Sequence, residues 1–413
     1  MNGETKGLGS VFFVFAGYIL SVTAFVLGGN VGNQLGFTNG VLALLLGNMI
    51  LALYAGVLGY IGKKAQKSST DLFKPVYGLK GQVITSSIVS MFSIVFVSVY
   101  CSLVGSMVSS LFPGVSPYVG LVIYLAILTL INIKGFKGMS IFSKIGVPMI
   151  GFFVIYGLIV VGNKIGFGNA LTADPTQPAS FSSAVSVIAA SWMTGATFSS
   201  DITRYLKKSG YVFIVTVGSF LCVTLLEIVA LLCALGTGQS DLVQILSDLN
   251  MSAVAFVIYV LLTITSGQAV VFISAQALEN IIKVVRGKEG ESDGKFTAKQ
   301  FIIPSCIFAG LVGVFMTMNG FTSTFLSMLG IIGTAIPPVG GTIVAHFLLV
   351  EREYTETFKN IPAFRWAGFI GWITGICVSK LITIGISPLN GFVTAVIVYV
   401  VIRKITDKKI VKE

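Results

Sequence analysis

Two apolar stretches of this chain are interrupted by residues able to do chemistry inside a membrane. The first interruption is Ser21-Val22-Thr23-Ala24, followed by Gly28-Gly29; the second is Ser191-Trp192-Met193-Thr194-Gly195-Ala196-Thr197. Lipid offers no partner for backbone N–H and C=O groups, so a helix can open there only where it faces protein or a water-filled site. Opened backbone with hydroxyls around it supplies donors and acceptors for a polar solute and carbonyl oxygens for a cation. Trp192 adds a flat π-face that stacks on aromatic rings, and it lies away from the interfacial belt where membrane Trp usually collects. A hydroxyl pair, Thr265-Ser266, falls in another apolar stretch; such pairs serve as helix-packing glue or as hard-oxygen ligands. Glu227, in Thr224-Leu225-Leu226-Glu227, is an intramembrane carboxylate. Two readings suit it: a protonated, hydrogen-bonded structural residue, or a group whose titration couples to protons.

The elements that carry these residues follow from composition. Hydrophobic residues are 54% of 413 and charged residues 10%, with a mean hydropathy of +0.92. That excludes a soluble domain, and the long uninterrupted runs exclude a β-barrel, whose strands alternate. The apolar runs read as twelve spans of roughly 20 residues, the length a bilayer core requires. They fall at 10–35, 39–62, 83–112, 117–133, 141–162, 184–203, 210–236, 252–283, 300–318, 322–350, 364–384 and 387–403. The net charge of +11 reports topology and not a nucleic-acid partner, because the basic residues occupy every second loop. Lys63, Lys64 and Lys67 follow span 2, Lys134 and Lys137 follow span 4, and Lys207 and Lys208 follow span 6; Lys164 and Lys380 alone fall on the other side. The positive-inside rule then puts both termini in the cytoplasm of a protein embedded in the cell membrane. Cys101, Cys222, Cys233, Cys306 and Cys377 lack metal-ligand spacing, and no disulfide framework is expected. Span 1 does not read as a cleavable signal. In the outer loop after span 7, Ser240 can cap a short helix with Leu242, Ile245, Leu246 and Leu249 on one face, lying on the membrane surface or covering a solute path.

Counting gives symmetry. If spans 1–5 and 6–10 are equivalent, an odd number per unit inverts the second copy. The two breaks then occupy corresponding first positions, the logic of inverted-repeat secondary transporters. The expected organisation is an all-α polytopic protein: a ten-helix core over 1–350, with repeats at about 10–162 and 184–350. Two additional helices and a cytoplasmic tail fill 351–413.

Several stretches carry a family likeness: Gly47-Asn48, Leu58-Gly59-Tyr60-Ile61-Gly62, Lys80-Gly81, Ser199-Ser200-Asp201-Ile202-Thr203-Arg204-Tyr205 and Ala335-Ile336-Pro337-Pro338-Val339-Gly340-Gly341. Through them the chain resembles the nucleobase–cation symporter-1 family, and within it the bacterial cytosine permeases. The resemblance implies a LeuT-like fold, with a 5+5 inverted repeat plus two helices, and uptake of a planar base with an inward cation gradient. Matched through Lys80-Gly81 and Asp201, it implies that Phe96 and Trp192 sandwich the base. Readers of the base edge are expected at Ser93, Ser191 and Thr194 and on backbone near Val22 and Thr23. The chain departs from the cytosine permeases in having Ser93 where they carry Gln, and Leu262 beside Thr263 where they carry Asn. An amide reads donor and acceptor together, and a hydroxyl is smaller, so the preferred base is expected to shift. A hydroxymethylpyrimidine, the thiamin precursor, is an alternative. For the cation the resemblance implies Na⁺ held by Thr265, Ser266 and carbonyls near Ser21 and Ala24, with H⁺ as the alternative.

Asp201 and Arg204, spaced i,i+3 at the inner end of span 6, can pair and read as an inner gate or as anchoring. Pro337-Pro338 must break span 10. His346 reads as structural, with a proton site as the weaker alternative. Three rival classes remain, among them a channel, which would conduct without a coupled gradient. An amino-acid or amine symporter suits the fold, but no paired charges accompany Trp192. A membrane enzyme needs a cluster of reactive groups, and the spans offer one His and one Glu far apart. No covalent cofactor is expected.

Overall fold

The computed structural model describes residues 5–238, 252–287, 297–319, 321–352, 354, 356–382 and 384–410. The short helix expected over Ser240 to Leu249 lies outside them. Among the described residues the architecture is helical, with one isolated backbone bridge between Lys6 and Leu206.

The first apolar stretch is two helices. α1 (Leu8–Ile19) ends as Leu20 turns extended. Ser21, also extended, starts α2 (Val22–Ala65) and accepts the Ala24 amide on its side chain. A side-chain oxygen at this position satisfies one of the amides that every helix start leaves free. α2 itself bends at Gly36, whose φ of 69° is a left-handed value that favours glycine. The bend separates the end of span 1 from span 2.

A short helix, α3 (Ser69–Tyr77), follows, started by a reciprocal Ser68–Asp71 cap. Next come α4 (Gly81–Leu111), α5 (Pro117–Ile133), α6 (Gly135–Val160) and α7 (Phe167–Thr172). The second broken stretch is α8 (Phe181–Ser191), α9 (Met193–Thr197) and α10 (Ser200–Thr203). Its breaks are at Trp192 (φ −122°, ψ 16°) and Phe198 (φ −90°, ψ 13°). α11 (Tyr211–Thr237), α12 (Ser252–Val285) and α13 (Lys299–Asn319) run long. A third break at Ile336 divides α14 (Phe321–Ala335) from α15 (Pro337–Val344), with both prolines in the first turn of α15. There their missing N–H costs nothing. α16 (Trp366–Leu381) and α17 (Ser387–Ile410) close the chain.

Among the described residues, eight helices are long and apolar enough to cross a bilayer, and four shorter apolar helices join them. Counting long helices differs from counting apolar runs because α2 holds two runs in one helix and α1 and α8 are leading parts of broken ones.

Close backbone approach holds the two broken stretches to their neighbours. A methyl group on Gly28 would lie 2.2 Å from the Glu227 carbonyl oxygen, and one on Gly32 3.0 Å from that of Leu231. α2 and α11 therefore touch through backbone, the small-residue mode of membrane helix packing. On the far side, Ser199, Ser200 and Thr203 donate to the Ala55, Leu58 and Gly59 carbonyls at 2.8, 2.9 and 3.2 Å. The Leu58–Gly62 and Ser199–Arg204 motifs thus face each other and clamp the end of the second broken stretch to α2. Gly340 lies against the Tyr54 ring and Gly341 against the Phe392 carbonyl, so the Pro-Pro-x-Gly-Gly motif also packs helices.

Candidate functional site

The first two broken stretches meet at an aromatic stack. Trp192, held between α8 and α9, lies parallel to Phe96 of α4, with ring centroids 5.5 Å apart and planes inclined by 7°. Both rings are 2% exposed. Tyr18 of α1 meets the Trp192 ring edge-on at 5.2 Å. Gly195 makes this possible: a methyl there would be 2.6 Å from a Trp192 ring carbon and 2.7 Å from the Tyr18 hydroxyl. The glycine in the second interruption therefore admits the indole and does not loosen the helix.

Two buried hydroxyls near the stack are unpartnered. Ser93, one turn before Phe96, and Thr194, two residues after Trp192, have no hydrogen-bond partner. Buried polar groups are nearly always paired, so both hydroxyls hold donor and acceptor capacity that the protein itself does not use. Ser191 differs, since its hydroxyl donates to the Ile188 carbonyl at 2.7 Å. Thr23 pairs with Ser21 at 2.7 Å. Val22 and Thr23 open α2, and first-turn amides have no partner within a helix; the partial positive charge of that end favours an electron-rich group.

The hydroxyl pair on α12 divides. Ser266 crosses to the end of α1, donating to the Leu20 carbonyl at 2.6 Å, with the Gly17 carbonyl at 3.4 Å. Thr265 stays within its helix, bonded to the Leu261 and Leu262 carbonyls at 2.7 and 3.2 Å, and its methyl packs where Gly146 of α6 leaves room. The α1 carbonyls beside Ser266 are those of Gly17 and Leu20, whereas the Ser21 carbonyl accepts the Ala24 amide at 3.2 Å. The hydroxyl of Tyr100, one turn after Phe96, lies near Ser21, Thr23 and Ser266. A set of oxygens from α1, α2, α4 and α12 thus gathers beside the stack. Ser266, its proton donated to the Leu20 carbonyl, keeps lone pairs free for a cation.

Asp201 and Arg204 do not form a direct ion pair. Asp201 accepts the Ser69 amide at 3.3 Å, at the start of α3. Arg204 reaches Gln276 on α12 at 3.4 Å and lies 5.2 Å from the Tyr205 ring. Each therefore ties the broken stretch to a different element. Glu227, 1% exposed, accepts from the Asn48 amide of α2, and its other oxygen has no hydrogen-bond partner. His346 bonds Tyr399 and Thr357, both at 2.8 Å, and Thr357 in turn bonds Glu351. Glu351 also binds Arg365 and Arg403 at 3.2 and 2.9 Å. The histidine belongs to a network that ties α17 to the segment after α15, far along the chain from the stack. Tyr18 and Tyr100 carry no motif in the sequence, and Asn48 enters it only within the Gly47-Asn48 likeness, with no role attached. Their available signal was polarity at mid-span, with Tyr18 three residues before the first break and Tyr100 four after Phe96.

Comparison with known proteins covers nearly the whole chain. A family model described as permease for cytosine/purines, uracil, thiamine and allantoin matches residues 3–401. The cytosine permease of Escherichia coli K12 is 24% identical, covering 98% of this chain and 93% of the relative. Among solved structures, the nucleobase-cation-symport-1 family transporter Mhp1, closed with bromovinylhydantoin bound, superposes with a TM-score of 0.81 at 16% identity. That match covers 99% of this chain and 94% of Mhp1. A Na⁺-coupled sialic acid symporter superposes at 0.70 with 14% identity, covering 98% and 90%. The fold is therefore that of a polytopic helical transporter.

Proposed function

This chain belongs to the family of permeases for cytosine/purines, uracil, thiamine and allantoin, and we propose that it imports an uncharged nucleobase or related pyrimidine by Na⁺ symport with alternating access. It is a membrane transporter and not an enzyme. The single observation that carries the cargo class is the buried parallel pair Phe96–Trp192 beside the unpartnered Ser93 and Thr194 hydroxyls. Flat faces recognise a heteroaromatic ring whatever its substituents, and hydroxyls at the rim read its edge.

The base lies between the two rings. Stacked carbon atoms sit roughly 3.5 Å apart, so a base between two rings needs about 7 Å, and the 5.5 Å pair must part to admit it. Movement of the broken helix that carries Trp192 relative to α4 supplies that opening. Ser93, Thr194 and Ser191, with the backbone of Val22 and Thr23, read the edge.

Na⁺ binds among Ser266, Thr265 and the break of span 1. Gly17 and Leu20 offer carbonyls there, with Ser21 and Ala24 next along the chain. An inward cation adds ~2.3 kcal/mol per 100 mV for each charge, enough to concentrate a neutral solute. In this reading the core is 1–350, with inverted repeats at 10–162 and 184–350, and 351–413 is peripheral. Both termini lie in the cytoplasm and the protein in the cell membrane.

A second cargo, a hydroxymethylpyrimidine, is favoured by Ser93, which leaves more room than a long amide and suits an added hydroxymethyl group. Thermal stabilisation of the purified protein tests both. Cytosine, uracil, purines, hydroxymethylpyrimidine and amino acids are compared in Na⁺ and in choline. Stabilisation by one planar heterocycle, larger in Na⁺, is expected. Stabilisation by amino acids alone would overturn the cargo class, and equal effects in choline would overturn Na⁺ coupling.

A further inference from the structure

A second cavity lies on the flank of the bundle, between α4, α12 and α13, with a volume of about 250 Å³. Its floor holds Ser90, Ser274 and Ser305, one from each helix. They are 6%, 2% and 3% exposed, and none of the three hydroxyls has a hydrogen-bond partner. Three orphaned hydroxyls converging from three helices are unusual in a folded interior. The space is several times a water molecule's ~30 Å³ share of the liquid, so it exceeds a single bridging-water site.

The walls say what fits. Ile94, Leu278 and Phe308 are apolar, and no charged side chain lines the cavity, so a charged group would enter without a partner. The mouth lies beside Met91 and Phe308, 52% and 44% exposed, on a flank where Ile303 and Ile307 are also exposed. In spans of this hydropathy such a flank faces acyl chains, so an occupant arrives laterally from the bilayer.

We infer that this crevice binds an uncharged amphiphile of the bilayer, its hydroxyl or ester group held by Ser90, Ser274 and Ser305 and its hydrocarbon laid along Ile94, Leu278 and Phe308. Ser90 is one turn from Ser93 and two from Phe96 on α4, so the occupant presses on the helix that carries half of the aromatic stack.

The test uses the full-length protein in phosphatidylcholine nanodiscs with a diazirine-bearing monoolein. Saturable labelling is expected on the peptides holding Met91, Leu278 and Phe308. Unlabelled monoolein should compete, and sodium oleate, with the same chain and a charged head, should not. In a Ser274→Ala/Ser305→Ala variant, labelling there should fall about tenfold while labelling elsewhere on the lipid-facing surface stays unchanged. Labelling spread evenly over that surface, equal competition by oleate, or undiminished labelling of the variant would overturn the site. Thermal unfolding without monoolein guards the variant. Removing unpartnered hydroxyls should leave Tm unchanged or raise it; a lower Tm would mean that the serines are bonded within the protein and would overturn the assignment.

Discussion

Replacing Phe96 by leucine isolates one face of the proposed slot. Leucine keeps most of the buried volume, and hydrophobic swaps of similar volume usually cost less than about 1.5 kcal/mol, so the protein should fold. What disappears is a π-face parallel to Trp192 within 7°. A base gains ~1–3 kcal/mol from each aromatic face it stacks on. Losing one of two faces should therefore raise Kd by roughly 5- to 150-fold, at 1.4 kcal/mol per tenfold. Truncating Trp192 to alanine is a poorer test, since it also removes the Tyr18 edge contact and leaves a cavity that costs about 3–5 kcal/mol in stability. Trp192→Phe keeps a face and should lose less than Phe96→Leu.

The assay is built into the molecule. The chain has three tryptophans. Trp366 is 67% exposed and Trp372 is buried against α14, donating to the Ala335 carbonyl at 2.7 Å. Base stacking on Trp192 should quench fluorescence in the wild type and not in Trp192→Phe, and titration of that signal gives Kd for wild type and Phe96→Leu under saturating Na⁺. A folded Phe96→Leu protein that binds within twofold of wild type would refute the sandwich and move the base off this pair.

Three further perturbations separate the remaining roles. Ser266→Ala removes the bond from α12 to the Leu20 carbonyl and should weaken the Na⁺ dependence of uptake about tenfold, a cost near 1.4 kcal/mol. Thr265→Ala, whose hydroxyl is held inside its own helix, should have the smaller effect; the reverse order in a Na⁺ titration would contradict the geometry. Glu227→Gln keeps an acceptor for Asn48 and should retain both Tm and Na⁺-driven uptake. Glu227→Leu leaves that amide unpaired at about 1–3 kcal/mol, so equal Tm values for the two variants would argue against the bond. Gly28→Ala places a methyl 2.2 Å from the Glu227 carbonyl oxygen, and α2 must move off α11 at ~1–3 kcal/mol or more. Gly9→Ala, with open space around it, is the control, and matching thermal scans for the two would deny the close approach.

What the sequence revealed, and what it hid, divides along the range of the interactions. The breaks were legible because they are local: hydroxyls and glycines in an apolar run at 21–29 and 191–197, and a double proline at 337–338. Placing Phe96 opposite Trp192 needed the family resemblance, since the sequence of α4 does not say which of Phe92 and Phe96 turns inward. Asp201 and Arg204 keep helical i,i+3 spacing in and just after α10, yet their side chains turn to different neighbours, which spacing alone does not fix. The free amide of Ser69, 132 residues away, becomes the better partner for Asp201. The span-1 carbonyls illustrate a subtler limit. A break has two unlike sides: the helix before it ends in unpaired carbonyls, and the helix after it begins with unpaired amides. Composition marks the break at Ser21 but not which side meets which neighbour. In the fold, the carbonyl end at Gly17 and Leu20 turns to Ser266, and the amide end opens at Val22 and Thr23. One interruption thus presents a face suited to a cation and a face suited to an electron-rich base edge, separated by two residues. Coupling between the two ligands would then require no long pathway, because ordering one side of the break fixes the other.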